Sequence, residues 1–364
     1  MYATADAPEA VLPHWREAIW ERAAALARQG PGPAVLLLDE VQHLPGWSPW
    51  LKARYDELKR TGLPLHVVAS GSSSLRLGSD SRESMAGRFE RLVLSHWGPR
   101  DLAELAGISP DDAAMQWVAR GGHPGAVPLW NDPVRWQAHV RDAIVEPAIG
   151  RDLLALEQVR RPALLRQVFA IAAAHPAEVL SLEKIAGNLA EKGALETIAH
   201  YLGLLSEAFL VTPVQKAQRM EIRRRRSPSK LVVRDPALLT ATGKAPPSAD
   251  SDPERWGRWV ENACLARILN AGLALDYWRE EPWEADGVFT GPDDVRWLVE
   301  IKTGRFTAED LRGLSHAAVR MPECRPLVLC DRGQEGVARS AGFEAMPGRT
   351  SSSDGRNRPR GGSG

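Results

Sequence analysis

The sequence predicts an α/β protein assembled from several parts, and three observations carry that expectation. Residues 34–38 and 65–69 are short apolar runs separated by a helical pattern, the strand–helix–strand signature of a parallel sheet. Residues 164–208 hold three helical segments, and two apolar β-like runs (209–214 and 230–233) follow around a basic stretch. Residues 284–289 and 295–303 read as two strands joined by Thr290-Gly291-Pro292-Asp293-Asp294, inside a last α/β unit of about 253–345. At 364 residues the chain exceeds one ordinary core and fits two or three domains.

Taken in order, residues 15–28 predict a helix stopped by Gly30-Pro31-Gly32-Pro33. The run 34–38 is apolar on both faces, which predicts a central parallel strand covered by helices on both sides. Pro45 and Gly46 break the chain before a helix over 47–60, and the strand 65–69 runs into the polar turn Ser70-Gly71-Ser72-Ser73-Ser74. Residues 91–94 predict a further strand. Helices follow over 110–120 and 135–149 on either side of Gly121-Gly122-His123-Pro124, and then over 164–174, 182–190 and 194–208. Three helices and a basic hairpin are the layout of a winged helix. Residues 241–252 read as a linker, and the Gly-, Ser- and Arg-rich stretch 347–364 as a disordered tail.

Composition narrows the function classes. Charged residues at 25% and hydrophobic residues at 44% are globular values. Lys plus Arg equals Asp plus Glu at 46 each, so a case for nucleic acid must rest on local charge. Cys264, Cys324 and Cys330 lie far apart with no Cys-x-x-Cys pair, which excludes a disulfide framework and a cysteine zinc site and fits a reducing compartment. The start of the chain has no basic n-region or apolar h-region, and its apolar runs are too short to span a bilayer. The expectation is a cytoplasmic protein with no membrane partner.

The run Leu36-Leu37-Leu38-Asp39-Glu40 has the form of a Walker B motif, an apolar strand with two carboxylates at its C-terminal tip, where ligands of open α/β sheets bind. In that role Asp39 holds Mg²⁺ and Glu40 polarises the attacking water. A buried strand leaving the core at an acidic turn gives the same pattern. Ser70 and Ser72, at the tip of the next strand, could sense a γ-phosphate or hold the water, and Arg88 in Ala86-Gly87-Arg88-Phe89 could reach a phosphate. A serine-rich turn and a solvated arginine are the plainer alternatives.

Residues 37–48, with 70–75 and 85–90, resemble the Walker B segment and following blocks of prokaryotic AAA-type P-loop ATPases. The members concerned are archaeal-ATPase-like and carry a C-terminal domain of unknown function. Gly121-Gly122-His123-Pro124, Gly150-Arg151-Asp152, 180–211, 230–235, Glu284-Ala285-Asp286 and Glu300-Ile301-Lys302 match in order, over about 5–335. The resemblance implies a partial P-loop ATPase parallel sheet (1–106), a helical lid (107–160), a winged helix (161–240), the linker, and a restriction-endonuclease-like α/β domain (253–346). It implies ATP and Mg²⁺ as ligands. The chain departs from the family at one point. The Gly-x-x-x-x-Gly-Lys-Ser/Thr loop does not occur among the 38 residues before Asp39, and the single Gly-Lys, Gly243-Lys244, is followed by Ala-Pro-Pro. The expectation is an N-terminal truncation that removes the phosphate cradle, with its strand and helix, and with it ATP hydrolysis.

In the last unit, pairing Phe289 with Val295 sets Asp286 opposite Leu298 and diagonal to Glu300. Asp286, Glu300 and Lys302 then converge, with Glu261 on the preceding helix as a fourth group. Asp286 and Glu300 could hold Mg²⁺, and Lys302 could orient or deprotonate a water. This resembles the Asp…Glu-x-Lys core of restriction-endonuclease-like domains and implies a Mg²⁺-dependent nuclease, although charge on a solvated strand face looks the same. From Lys216 through Lys230 there are seven Lys or Arg and one acid, with Arg223, Arg224, Arg225 and Arg226 in a row. Such a wing suits DNA or RNA phosphate, or a protein partner. Nine histidines are scattered without metal-ligand spacing.

Overall fold

The computed structural model describes residues 1–71, 85, 87–153, 159, 161–190, 194–217 and 227–347, in two compact units. The first (1–93 and 151–159) holds a parallel sheet in the order β1-β2-β3: β1 (Tyr2–Thr4), β2 (Ala34–Asp39) and β3 (Leu65–Ala69). Helix α1 (Trp15–Gln29) precedes β2, and α2 (Trp47–Thr61) joins β2 to β3, which is the expected βαβ unit. Leu36 and Leu38 turn into two apolar clusters. Leu36 meets Trp20, Ala23, Ala27 and Leu65, and Leu38 meets Val41, Leu44, Trp47 and Leu51. The alanines of α1 let that helix lie close to the strand.

Three expectations change here. Val35 and Leu37, on the other face of β2, are 41% and 43% exposed, so among the described residues the sheet is covered on one face. β1 was not anticipated because three residues carry no readable period. Residues 91–94 join no sheet, and Leu92, Val93 and Leu94 are exposed. Apolar content alone therefore suggested a strand that no partner strand completes.

The second unit (94–150 and 160–364) begins with α3 (Pro99–Ala106), α4 (Pro110–Arg120) and α5 (Pro133–His139). The last runs on through wider π-type turns, Val140–Val145 and Pro147–Leu153. Ser109 caps α4 by accepting the Asp112 N–H, as a helix start requires. Next come α6 (Pro162–Ala174), β4 (Val179–Leu180), α7 (Leu182–Gly187), α8 (Leu195–Glu207), β5 (Val211–Lys216) and β6 (Ser229–Val233). The remainder is α9 (Pro253–Asn270), β7 (Leu275–Glu280), β8 (Trp283–Thr290), β9 (Arg296–Ile301), α10 (Arg312–Arg320), β10 (Arg325–Cys330), α11 (Glu335–Ser340) and β11 (Glu344–Pro347).

The eight strands among the described residues of this unit form one sheet, ordered β11-β10-β9-β8-β7-β5-β6-β4. β5 and β7 pair in parallel, Gln215 with Asp276 and Lys216 with Tyr277. Residues 241–252 thus connect two parts of a single sheet, and their Pro- and Ser-rich composition marks a surface crossing. The strand β11 takes in Pro347, the first residue expected in the tail. Trp117, Trp136, Trp256 and Trp259 are buried, as core packing predicts. Among the described residues no helix is long and apolar enough to cross a membrane.

Candidate functional site

Asp39 ends β2 and is bound by three donors. Its Oδ1 accepts Ser70 Oγ–H at 2.6 Å and the Glu40 N–H at 3.0 Å, and its Oδ2 accepts the Tyr2 hydroxyl at 2.9 Å. The Ser70 hydrogen bond, helped by Tyr2 and Glu40, outweighs partial burial and holds the Asp39 pKa below the usual carboxylate value. β1 and β3 flank β2, so the parallel sheet itself delivers Tyr2 and Ser70 to this carboxylate. Glu40 follows in a left-handed conformation at φ 52°, an unusual position for a glutamate. Its carboxylate accepts from Gln42 Nε2 and lies 3.7 Å from His43 Nε2. Arg88 points to α2, where its Nε donates to Asp56 at 3.1 Å. Ser72 lies outside the described residues, as do Arg223, Arg224, Arg225 and Arg226.

In the second unit, Asp286 and Glu300 come together by a register different from the expected one. Phe289 pairs with Trp297 and Gly287 with Val299, which sets Asp286 opposite Glu300. The cause is the loop: Gly291 N–H donates to Val295 O at 2.8 Å, so the pairing starts one residue later, at Thr290 and Arg296. Lys302 Nζ lies 2.7 Å from Glu300 Oε1. Burial opposes the Lys302 charge, but Glu300 outweighs it and raises the pKa, so Lys302 suits orienting a water and not deprotonating one. Glu300 Oε2 is buried and has no hydrogen-bond partner.

The sequence reading expected Glu261 near Asp286 but not the lysine between them. Lys230, at the start of β6, is fully buried, and its Nζ lies 2.7 Å from Glu261, 2.8 Å from Glu284 and 3.3 Å from Asp286. Burial works against this ammonium, yet the three carboxylates outweigh it and keep it charged. Asp286 Oδ2 accepts the Ile301 N–H at 2.8 Å, so both of its oxygens are engaged. Oxygens of Glu261, Glu284 and Asp286 lie within 4.8 Å of one another around that ammonium, and Glu300 is not in this group. The donor set for a divalent ion therefore divides. Three carboxylates are already engaged by Lys230, with Arg258 beside Glu261 and Arg279 beside Glu284, and the free acceptor is Glu300 Oε2. Burial, with Asp286 beside it, pushes the Glu300 carboxyl up to about 8, and burial does the same for Glu261. A lysine opening an apolar strand (Lys230-Leu231-Val232-Val233) was the signal that could have pointed to this cluster.

The comparisons agree with the fold of the first unit. Residues 2–101 match the AAA domain family, and residues 111–248 match a domain of unknown function (DUF8612). The N-terminal region thus has an AAA-type, P-loop-ATPase-like fold. Two mycobacterial proteins are each 30% identical over 208 residues, or 56% of this chain and 43% of theirs. They are the uncharacterized proteins Mb2031c of Mycobacterium bovis and Rv2008c of Mycobacterium tuberculosis. The match therefore spans less than half the length of these relatives. Among solved structures, the Walker-type ATPase PABY2304 of Pyrococcus abyssi is 15% identical with a TM-score of 0.39, over 65% of this chain and 69% of that one. The ORC1 protein of Aeropyrum pernix in complex with DNA is 13% identical with a TM-score of 0.28, over 67% and 76%.

Proposed function

We propose that residues 1–93 supply the Walker B half of a Mg²⁺–nucleotide site, with ATP as the nucleotide. The carrying observation is the Ser70 Oγ–Asp39 Oδ1 hydrogen bond of 2.6 Å, which joins the tips of two adjacent parallel strands. An ionised carboxylate at that edge suits a magnesium ion, directly or through its water shell, and Ser70 stands where a γ-phosphate can be sensed. Bound Mg²⁺ would neutralise charge on the phosphates. Glu40, one residue on, is the group to polarise water, once its carboxylate leaves Gln42. The 364 residues contain no Gly-x-x-x-x-Gly-Lys-Ser/Thr loop, so this chain by itself binds nucleotide weakly and does not hydrolyse it. Titration calorimetry with Mg·ATP tests this. Weak, Mg²⁺-dependent heat that disappears in Asp39→Ala supports the proposal, and heat unchanged by Asp39→Ala defeats it.

A second reading rests on Glu300, whose buried Oε2 is left unpaired beside Asp286 and Lys302. A restriction-endonuclease-like unit over 253–346 would use Asp286 and Glu300 to hold Mg²⁺ and Lys302 to place the attacking water. Helices α6, α7 and α8 with strands β4, β6 and β5 fit a winged helix, whose basic hairpin would meet DNA or RNA phosphate. Mg²⁺-dependent nicking of supercoiled DNA that Lys302→Ala abolishes and Asp39→Ala preserves supports this reading. The absence of nicking in the intact chain excludes it.

A further inference from the structure

Away from both sites, three segments of the second unit bring His96, His123 and Asp235 together. His96 lies in the extended stretch before α3, His123 in the Gly-Gly-His-Pro turn after α4, and Asp235 in the turn after β6. Asp235 is fully buried and rigidly held. Its Oδ1 accepts the Ala237 N–H at 2.8 Å, and its Oδ2 accepts the Gly122 N–H at 2.8 Å. The paired glycines permit this approach. Gly121 has φ 73°, and a Cβ there would strike Asp235, while a Cβ on Gly122 would strike the Trp97 carbonyl.

Capping the Gly122 and Ala237 amides accounts for the carboxylate but not for the two imidazoles aimed at it. His96 Nε2 is 3.2 Å from the Phe209 carbonyl oxygen, which can only accept, so Nε2 carries the proton. In the neutral ring the lone pair of His96 Nδ1 then faces Asp235 Oδ2 at 3.4 Å, an unfavourable meeting of two electron pairs that a cation or a second ring proton relieves. His123 Nε2 is buried, takes no hydrogen bond, and lies 3.7 Å from the same oxygen. The two rings meet edge to face with centroids 5.2 Å apart. Something positive placed between these three atoms would resolve the arrangement.

We propose that His96 Nδ1, His123 Nε2 and Asp235 Oδ2 bind a divalent transition-metal ion of the zinc type. All three atoms lie within 4.8 Å of one another. Bonds of about 2.0–2.1 Å in a tetrahedron give ligand-to-ligand edges of about 3.3 Å, so the observed separations need only small adjustments. The Nε2–H···O=C bond from His96 to Phe209 is the outer-shell contact that a metal-bound histidine ordinarily makes to fix its tautomer. Beside the cluster opens a cavity of about 300 Å³, lined by Ser95, Trp97, Pro124 and Phe209, so a water or small ligand can take the fourth position. Two imidazoles and one carboxylate select zinc or cobalt over magnesium or calcium.

Cobalt(II) is the probe, because low-coordinate Co²⁺ bound by nitrogen absorbs visibly and Mg²⁺-type carboxylate sites do not mimic it. The whole chain, stripped with a chelator, is titrated with Co²⁺ and then with Zn²⁺. The expected result is one equivalent of Co²⁺ with intense visible bands that Zn²⁺ displaces. His96→Gln and His123→Gln should each weaken binding by at least about tenfold, the lower end of what losing even an outer-shell partner costs. A double variant with unaltered circular dichroism should lose the bands. Absence of the bands in the unsubstituted protein overturns the proposal whatever the variants do, and equal bands in the double variant overturn it as well.

Discussion

The two charged regions of this protein handle carboxylates in opposite ways. At the tip of β2, a single aspartate is satisfied by neutral donors: the Ser70 and Tyr2 hydroxyls and one backbone amide. In the second unit, Glu261, Glu284 and Asp286 crowd a buried lysine, and Glu300 pairs with Lys302. Neutral donors lower the Asp39 pKa without placing a rival cation there, so the carboxylate stays available to an ion. The ammonium of Lys230 instead stands among the carboxylates as their shared partner, with Arg258 and Arg279 at the margin. Under the proposed nucleotide site, the carboxylate at the strand tip is held for a ligand, whereas the carboxylates around Lys230 first satisfy their own neighbours.

The sharpest break in that comparison is Lys230→Met. Removing the buried ammonium leaves Glu261, Asp286 and the partly exposed Glu284 without their shared partner, and breaking a buried pair costs about 3–5 kcal/mol. Urea unfolding of the second unit should show a loss of that size, and an unchanged midpoint would mean that the carboxylates are solvated. Next in size is a pH effect. The Glu300 carboxyl has its pKa raised by burial from 4.5 to about 8, so the folded state holds a proton that the unfolded state has released. Stability therefore falls as pH rises from 4.5 to 8, and levels off above that. Glu300→Gln should reduce this slope and stabilise the protein at high pH by on the order of 1 kcal/mol, with Glu261 keeping the remainder. An identical pH profile in the variant would show that Glu300 is already ionised.

In the first unit the effects are smaller, because the donors are several and only partly buried. Ser70→Ala should cost about 1 kcal/mol, the net value of one hydrogen bond to a group that keeps two others. Smallest is Glu40→Gly, which removes a left-handed glutamate. Relief of that strain, less the added backbone entropy of glycine, predicts a gain of about 0.5 kcal/mol. A loss instead would show that the Glu40–Gln42 contact holds the turn.

The sequence made the first region legible because its signals are local. Three consecutive leucines ending in Asp39-Glu40 and a serine closing the next strand can be read in one pass. Tyr2 was not legible, since a strand of three residues has no period and its hydroxyl matters only through register with β2. The second region was legible in part. Asp286, Glu300 and Lys302 follow from strand alternation, but the register depended on one loop hydrogen bond. Lys230 lies 31 residues from Glu261 and 56 from Asp286 and is brought to them only by tertiary packing. His96, His123 and Asp235 were hidden for the same reason, since 113 residues separate Gly122 from the aspartate that holds it.

The most direct test of the nucleotide-site assignment uses Mn²⁺ in place of Mg²⁺, with ATP, and reads the enhancement of water-proton relaxation by the intact chain. The account predicts an enhancement that requires ATP, is lost in Asp39→Ala and weakens in Ser70→Ala. An enhancement equal in the unsubstituted chain and in Asp39→Ala, or none in either, would contradict it.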